Sequence, residues 1–256
     1  MLTKILEAIG GFVIHRFEEF GRMVLLYVET IRQMCHHARI RSILYQMSHL
    51  GVDSLLIVSL TLAFTGIVLT LQTADELIKY GAQSTVGAII SIGIGRELGP
   101  VLVAVVFAGR VGSAITAEIS TMKVTEQIDA LRVMAVSPAD YLIVPRMLAC
   151  MFVVPILTIF GDVIGVVGGY LIAVYYSGIS SMTFMNSIHT YVDVYDFTGG
   201  LIKAIFFGNI IAVLGCYYGL NSPDGAEGVG RATTRTVVAS IIVIFILNAL
   251  LTLILF

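Results

Sequence analysis

The sequence Gly93–Glu118, GIGRELGPVLVAVVFAGRVGSAITAE, places Arg96 and Glu97 side by side within a strongly apolar stretch. Charged side chains at membrane depth are costly, so they are retained where they pair, line a cavity or contact a substrate. Neighbouring side chains on a helix point about 100° apart, so these two cannot share one narrow contact. The stretch therefore predicts a chain that spans a membrane and performs a polar function inside it.

Residues that loosen a helix surround this charged pair, namely Gly93, Gly95, Gly99 and Pro100. Interrupted helices at membrane depth occur where the backbone is buried in protein or lines a water-accessible cavity. We therefore expect a broken helix here. We also expect the two charges to belong to a functional site and not only to the packing of the fold.

The composition of the whole chain supports a membrane protein. It has 256 residues, of which 57% are hydrophobic and 12% are charged, and its mean hydropathy is +0.95. Soluble domains carry about 25% charged residues, so a water-soluble fold could not bury this much apolar side chain. The three cysteines lack CxxC spacing, which argues against disulfides and zinc. We interpret Cys35, His36 and His37 as a polar helix end beside the membrane, and we expect no metal site.

The first 34 residues follow a 3.6-residue hydrophobic period, with charges such as Arg16 and Glu18 between the apolar positions. A cleaved signal would show a continuous apolar core and a small-residue cleavage site. The pattern is typical of an amphipathic helix that lies in the membrane surface, with a soluble helix packed on a partner as the alternative. We therefore divide the chain into a surface helix with its connector, residues 1–49, and a membrane domain, residues 50–256.

Five segments contain the roughly 20 mainly apolar residues that a membrane-crossing helix needs. They are Val52–Leu71, Thr85–Gly109, Tyr141–Tyr176, Gly199–Leu220 and Val237–Phe256. The third is long for one perpendicular helix and slightly short for two. The sequence thus predicts an all-α integral membrane protein with one N-terminal interfacial helix and five transmembrane helices.

The distribution of basic residues selects five spans over six. With the N-terminus in the cytoplasm, Lys79 is the one Lys or Arg in the outer segments, as the positive-inside rule requires. Splitting the third segment into a hairpin would place Arg231 and Arg235 outside. We therefore predict one long tilted third helix, with Pro155 as the position of any break, and a C-terminus on the outer side.

The segment between the second and third spans, residues 116–140, predicts a short amphipathic helix on the cytoplasmic side. Apolar residues alternate there with charges, and Ser137 and Pro138 end the run. Such a helix can dock a cytoplasmic partner, or it can simply lie among the lipid headgroups. The pattern alone leaves both interpretations open.

Two further features concern the interior of the bundle. Gly161, Gly165 and Gly169 form a double GxxxG pattern, which lets membrane helices approach closely. Asp162 lies in the third span and Lys203 enters the fourth, and we expect each to pair with a polar group inside the bundle. The alternative is a relay in an ion-coupled secondary transporter, although the chain shows no matching halves. A membrane scaffold without a substrate is a third class.

Several catalytic motifs are absent from the sequence. It has no GxxxxGK[ST] phosphate loop, so we do not expect the chain itself to bind ATP. It has no GxSxG or HExxH motif, which leaves no nucleophile or ligand pair for a serine or zinc hydrolase. Basic residues follow one membrane side and form no patch, so no nucleic acid is expected. We predict that the chain is not an enzyme and holds no cofactor.

Four motifs resemble the MlaE/YrbE family of lipid-transport ABC permeases, and the resemblance covers nearly the whole chain. They are RELGPVL (Arg96–Leu102), AGRVGSAITAEI (Ala108–Ile119), TEQIDAL (Thr125–Leu131) and GRATTRTVV (Gly230–Val238). The resemblance implies a homodimer in a bacterial inner membrane that moves phospholipid to or from a hexameric MlaD-like MCE protein, as in systems that maintain outer-membrane lipid asymmetry. It also implies MlaF-like ATPase subunits that hold ATP and magnesium. It does not decide whether a small regulatory subunit is present.

The resemblance also implies two sets of site residues. The lipid cavity of the family, carried over by motif, gives the substrate-binding set Leu69, Leu77, Tyr80, Arg96, Glu97 and Leu98. A guanidinium can fork onto phosphate, and Glu97 would hold Arg96 of its own chain or of a second copy in place. The implied ATPase-coupling set is Lys123, Glu126, Asp129 and Leu131.

Overall fold

The computed structural model describes residues 2–34 and 40–256, and this part of the chain is helical without any strand. Its helices are α1 (Leu2–Met34), α2 (Ile40–Lys79), α3 (Gln83–Val124), α4 (Gln127–Val133), α5 (Ala139–Tyr175), α6 (Ser181–Tyr191), α7 (Val194–Leu220) and α8 (Gly225–Leu255). Five of them, α2, α3, α5, α7 and α8, are long and apolar enough to cross a membrane. The predicted all-α membrane fold with an N-terminal helix and five spans is confirmed.

The helices that cross the membrane extend beyond most of the predicted spans, because a hydropathy count detects only their apolar parts. The first begins at Ile40, so the predicted division between residues 49 and 50 falls inside α2. That division into two domains stays a prediction. The polar stretch Cys35–His37 lies outside the described residues.

The third span is a single helix, as the charge distribution predicts. Its α-helical part runs without interruption from Val144 to Tyr175 and includes Pro155. Membrane helices tolerate an internal proline because neighbouring groups satisfy the carbonyl that it frees. A break at Pro155 does not occur.

Helices α2 and α5 pack closely through glycine. A Cβ atom on Gly66 would overlap the backbone carbonyl of Gly165, and one on Gly161 would lie 3.1 Å from Leu62. The GxxxG pattern therefore mediates a contact within one chain. Buried apolar side chains such as Leu62, Ile94 and Val103 surround this contact.

Helix α1 lies against α7 and the start of α5. Tyr217 donates a hydrogen bond to the carbonyl of Glu19 (3.2 Å), and Asn209 donates one to the Tyr27 hydroxyl (3.2 Å). Gln33 donates a third to the Ser137 hydroxyl (3.1 Å). These contacts fix α1 on the bundle, and its position in the membrane surface stays a prediction.

The segment between α3 and α5 differs from the single amphipathic helix predicted over residues 116–140. Helix α3 continues to Val124, and Glu126 then takes a left-handed conformation with φ +59°. Only the short α4 follows. It ends in a turn in which Ala135 has φ +56° and the Val136 N–H donates to the Leu131 carbonyl (2.9 Å). This Schellman-type turn ends the helix before Ser137 and Pro138.

Candidate functional site

The charged pair lies in a π-helical turn of α3, Ile94–Leu98. The N–H of Gly99 donates to the carbonyl of Ile94, five residues earlier, so the helix widens here and does not break. The prediction of an interrupted helix was wrong. In an α-helix the carbonyl of residue 96 accepts from the N–H of residue 100, which Pro100 lacks. Wide turns of this kind frequently occur at functional sites.

Lys203 of α7 supplies a donor for the backbone carbonyl of Arg96. Its Nζ lies 3.0 Å from that carbonyl, 2.7 Å from Oε1 of Glu97 and 2.8 Å from the Thr252 hydroxyl. An ammonium group has three donors, and all three have acceptors here. Lys203 is fully buried, and the predicted pairing of this residue inside the bundle is confirmed.

Helix α8 completes the environment of Glu97. The side-chain amide of Asn248 donates to Oε2 of Glu97 (2.8 Å), and the Thr252 hydroxyl lies 2.9 Å from Oε1. Both carboxylate oxygens are therefore satisfied by groups of two other spans. Burying a charge at membrane depth requires such partners.

Arg96 pairs with Asp196 in the first turn of α7. Its Nε and Nη2 lie 2.6 and 2.5 Å from Oδ1 of Asp196. The other oxygen of Asp196 accepts from the backbone N–H of Asp193 (3.0 Å) in a capping box at the start of the helix. Within one chain, the expectation that Glu97 holds Arg96 in place was therefore wrong. A contact of Glu97 with a second copy stays a prediction.

We call Arg96, Glu97, Asp196 and Lys203 the charged cluster. Its four charges sum to zero, which lowers the cost of holding them among apolar helices. Asp196 and Lys203 are 2% and 0% exposed, whereas Arg96 and Glu97 are 36% and 37% exposed. Of these four residues, only Arg96 and Glu97 reach the surface of the chain. Arg96 pairs with the buried Asp196, and Glu97 pairs with the buried Lys203.

An aromatic ring covers part of the charged cluster. The Phe256 ring centroid lies 4.5 Å from the guanidinium carbon of Arg96 and 5.2 Å from Nζ of Lys203. Cations at these distances are attracted by the ring face. The ring also meets Tyr195 edge to face at 5.7 Å. An anionic ligand would therefore approach Arg96 beside an apolar aromatic surface.

The other predicted substrate-binding residues are spread along α2 and α3. Leu69 is half-buried and lies against Gly93, one turn before Arg96. Leu98 is half-buried in the π-helical turn, and Leu77 is half-buried further along α2. Tyr80 follows the end of α2, is 81% exposed and lies about 16 Å along the helix from Leu69. The assignment of these residues to a lipid site stays a prediction.

The four predicted coupling residues divide into two pairs. Glu126 and Asp129 are exposed, and Asp129 pairs with Arg132 at 2.9 Å. Lys123 instead donates to the backbone carbonyl of Ser222 (2.6 Å), and Leu131 packs against the core. Two apolar side chains outside the predicted set, Val133 and Met134, are 87% and 63% exposed at the end of α4. The role of this segment also stays a prediction.

Asp162 departs from its expected pairing. It is buried in α5, and its Oδ1 has no hydrogen-bond partner among the described residues. Gly99 leaves space for this carboxylate, since a Cβ there would overlap Oδ1. Lys203 uses its three donors elsewhere, so the two residues form no relay within this chain. In the part of the chain that the structure describes, no group of three His, Cys, Asp or Glu residues could hold a metal ion.

Sequence reasoning missed Asp196, Asn248 and Thr252. Asp196 falls between the third and fourth predicted spans, although its position three residues after Asp193 fits a capping box. Asn248 and Thr252 are four residues apart near the end of the last apolar run, which places them on one helix face. Two polar residues on one face of an apolar span could have indicated a polar contact inside the bundle.

The fold and the charged cluster define a multi-pass membrane protein in which four charged groups of two spanning helices pair with one another. The profile of the family described as Permease MlaE matches residues 43–254. The chain belongs to this permease family.

The similar relatives cover most or all of the chain. A probable ABC transporter permease protein of Synechocystis is 44% identical, with 93% of this chain and 92% of the relative covered. The intermembrane phospholipid transport system permease protein MlaE of Haemophilus influenzae is 38% identical, with 100% and 99% covered. The chloroplastic protein TRIGALACTOSYLDIACYLGLYCEROL 1 of Arabidopsis thaliana is 38% identical over 82% of this chain and 60% of its own length.

Proposed function

We propose that this chain is the membrane-spanning permease subunit of an ABC transporter that moves glycerophospholipid between the inner membrane and a periplasmic MCE-protein carrier. The single observation that carries the proposal is the similarity over the full length to the phospholipid transport permease of Haemophilus influenzae. The charged cluster agrees with it, because a partly exposed guanidinium backed by a buried carboxylate can bind a phosphate without losing its position.

In this proposal the chain works as a homodimer and does not hydrolyse ATP. ATP and magnesium are bound by a separate MlaF-like cytoplasmic ATPase, and a hexameric MlaD-like protein stands on the outer side. The transporter contributes to the lipid asymmetry of an outer membrane. The N-terminus lies in the cytoplasm, which is supported by the excess of basic residues on that side.

The test of the lipid site is the substitution Arg96→Gln in the complete transporter reconstituted into vesicles. Loss of a charge-assisted hydrogen bond to phosphate costs about 1.5–3 kcal/mol, so we expect transfer of labelled phospholipid to fall at least about tenfold. Copurification of the partner subunits should be retained.

Arg110→Gln is the matched control for this test. Arg110 lies in the second π-helical turn of α3, Ala108–Gly112, is 38% exposed and pairs with Asp53 at 3.3 Å. The double variant Arg96→Gln/Asp196→Asn leaves no unpaired buried carboxylate, so it removes the arginine without the folding defect that an unpaired Asp196 would cause. We expect the same loss of lipid transfer in this variant. Wild-type transfer by Arg96→Gln, or an equal loss in Arg110→Gln, would contradict the lipid site.

The coupling role of α4 and its N-terminal cap is tested by Glu126→Lys and Val133→Ser. Both side chains are exposed on the segment between α3 and α5, so we expect weaker ATPase copurification or ATP turnover that no longer responds to lipid. Glu29→Lys reverses a charge at an exposed position of α1 and serves as the control. If both α4 variants copurify and respond normally, α4 only lies among the headgroups.

A further inference from the structure

Two adjoining cavities form one groove between α1, α7 and α8. Their volumes are about 1080 Å³ and about 480 Å³, and both are lined by Tyr218, Ala239 and Ile242. Ligand pockets in proteins typically measure about 300–1,000 Å³. The groove is therefore large enough for a ligand with long substituents.

The two ends of the groove differ in polarity. The larger cavity contains the polar side chains Glu19, Glu227, Arg231, Thr234 and Arg235. The smaller cavity is lined mainly by apolar residues such as Phe206, Ile210, Val213 and Leu247, with Tyr27 and Asn209 on one wall. A ligand that fits both cavities has a charged group at one end and hydrocarbon at the other.

The polar end holds two carboxylates, Glu19 and Glu227, and two guanidinium groups, Arg231 and Arg235. Arg231 is held by Glu227 at 3.6 Å. Arg235 has no ion-pair partner among the side chains that the structure describes. Its guanidinium can therefore fork onto a phosphodiester.

The length of the groove matches one leaflet of a bilayer. Arg235 and Leu247 are twelve residues apart on α8, a rise of about 18 Å. Half of a hydrocarbon core of about 30 Å is about 15 Å. A phosphate at Arg235 would thus place its acyl chains along the apolar cavity as far as the middle of the membrane.

We propose that this groove binds a glycerophospholipid from the leaflet on the side of Arg231 and Arg235, which the charge distribution predicts to be cytoplasmic. The headgroup end of the groove is distant from the charged cluster, because Lys203 and Tyr218 are fifteen residues apart on α7, a rise of about 22 Å. The apolar end approaches the cluster, since Phe206 lies one turn from Lys203. Binding in the groove requires neither ATP nor a carrier, so its failure would leave the proposed transport function standing.

The test places a photoreactive benzoylphenylalanine at Ile242, which is exposed and lines both cavities. The purified full chain is reconstituted into vesicles of phosphatidylcholine and phosphatidylglycerol with a small fraction of diacylglycerol. After irradiation, mass spectrometry gives the ratio of phospholipid to diacylglycerol adducts. The same residue at Ile254, exposed on α8 outside the groove, reports the bulk membrane.

We expect a higher phospholipid ratio at position 242 than at position 254. Each arginine near an anionic headgroup contributes about fivefold in affinity, so Arg231→Gln/Arg235→Gln should lower the ratio at position 242 to that of the bulk membrane. Arg41→Gln, which removes an exposed charge from α2, should not change it. The substitution Ala239→Phe would fill the groove with a phenyl ring and should reduce all adducts at position 242. Ala249 is exposed on the same helix outside the groove, so Ala249→Phe should not reduce them.

Three results would overturn the proposal. Equal ratios at positions 242 and 254 would mean that the groove is not selective for phosphate. A ratio unchanged by the arginine substitutions, in variants with normal helical content, would remove the headgroup site. An adduct of twice the mass of the chain would show that a second copy, and not lipid, occupies the groove.

Discussion

At the scale of single residues, the charged cluster surrounds a backbone carbonyl, that of Arg96, which Pro100 leaves without its usual α-helical donor. The buried ammonium of Lys203 takes the place of that donor at 3.0 Å. The same ammonium then neutralises Glu97, the neighbour of Arg96. The ammonium group thus replaces a missing backbone donor, and its positive charge in turn requires a carboxylate.

The substitution Lys203→Met tests this arrangement. It leaves Glu97 without its cation and removes the Lys203 donor from the Arg96 carbonyl, and breaking such a pair costs about 3–5 kcal/mol. We expect a clear fall in the unfolding temperature of the purified chain in detergent. Lys79→Met is the control, because Lys79 pairs with Glu76 at 2.8 Å on the surface, where such pairs contribute about 1 kcal/mol or less.

The double variant Lys203→Met/Glu97→Gln shows whether the loss comes from an unpaired carboxylate. Removing both charges should restore part of the stability, because the glutamine can still bond with Asn248 and Thr252. Strictly additive losses would contradict the pairing.

At the scale of helices, α2 and α5 approach each other closely. This contact exists because Gly66 and Gly165 carry no side chains, so the two backbones touch. In contrast, an apolar 18-residue stretch of α8 is only 11% buried, the smallest share among the corresponding stretches of the five membrane helices. Helix α8 contributes Asn248 and Thr252 to the charged cluster and leaves most of its surface for lipid or partner chains.

Gly66→Ala tests the contact between α2 and α5. The added Cβ would meet the rigid carbonyl of Gly165, and overpacking of this kind costs about 1–3 kcal/mol. Gly230→Ala is the control, since a Cβ on Gly230 meets no atom within 4 Å and alanine favours helix by about 1 kcal/mol. Thermal unfolding should show a loss for the first and no loss for the second. Equal unfolding temperatures would mean that α2 and α5 separate at little cost.

At the scale of the whole molecule, the orientation in the membrane is the main open prediction. Single cysteines at Arg132 and Arg231 should react with an impermeant thiol reagent only from the cytoplasm. Cysteines at Tyr80 and Asp193 should react from outside, because the chain crosses the membrane once or three times before them. Cys150 and Cys216 are buried and should stay unlabelled, and Cys35 is replaced by serine. Labelling of all four positions from one side would contradict the five-span topology.

The sequence alone determined the class of fold, the number of spans and the family, because hydropathy, basic-residue asymmetry and motifs are local properties of the chain. It also located Arg96 and Glu97. Only the tertiary structure decided their partners, since Asp196 is 100 residues from Arg96 and Lys203 is 106 from Glu97. The two turns around α4 likewise depended on left-handed residues, Glu126 and Ala135, that composition does not predict. Pairing across helices is a property of packing, and packing brings together residues that no local pattern connects.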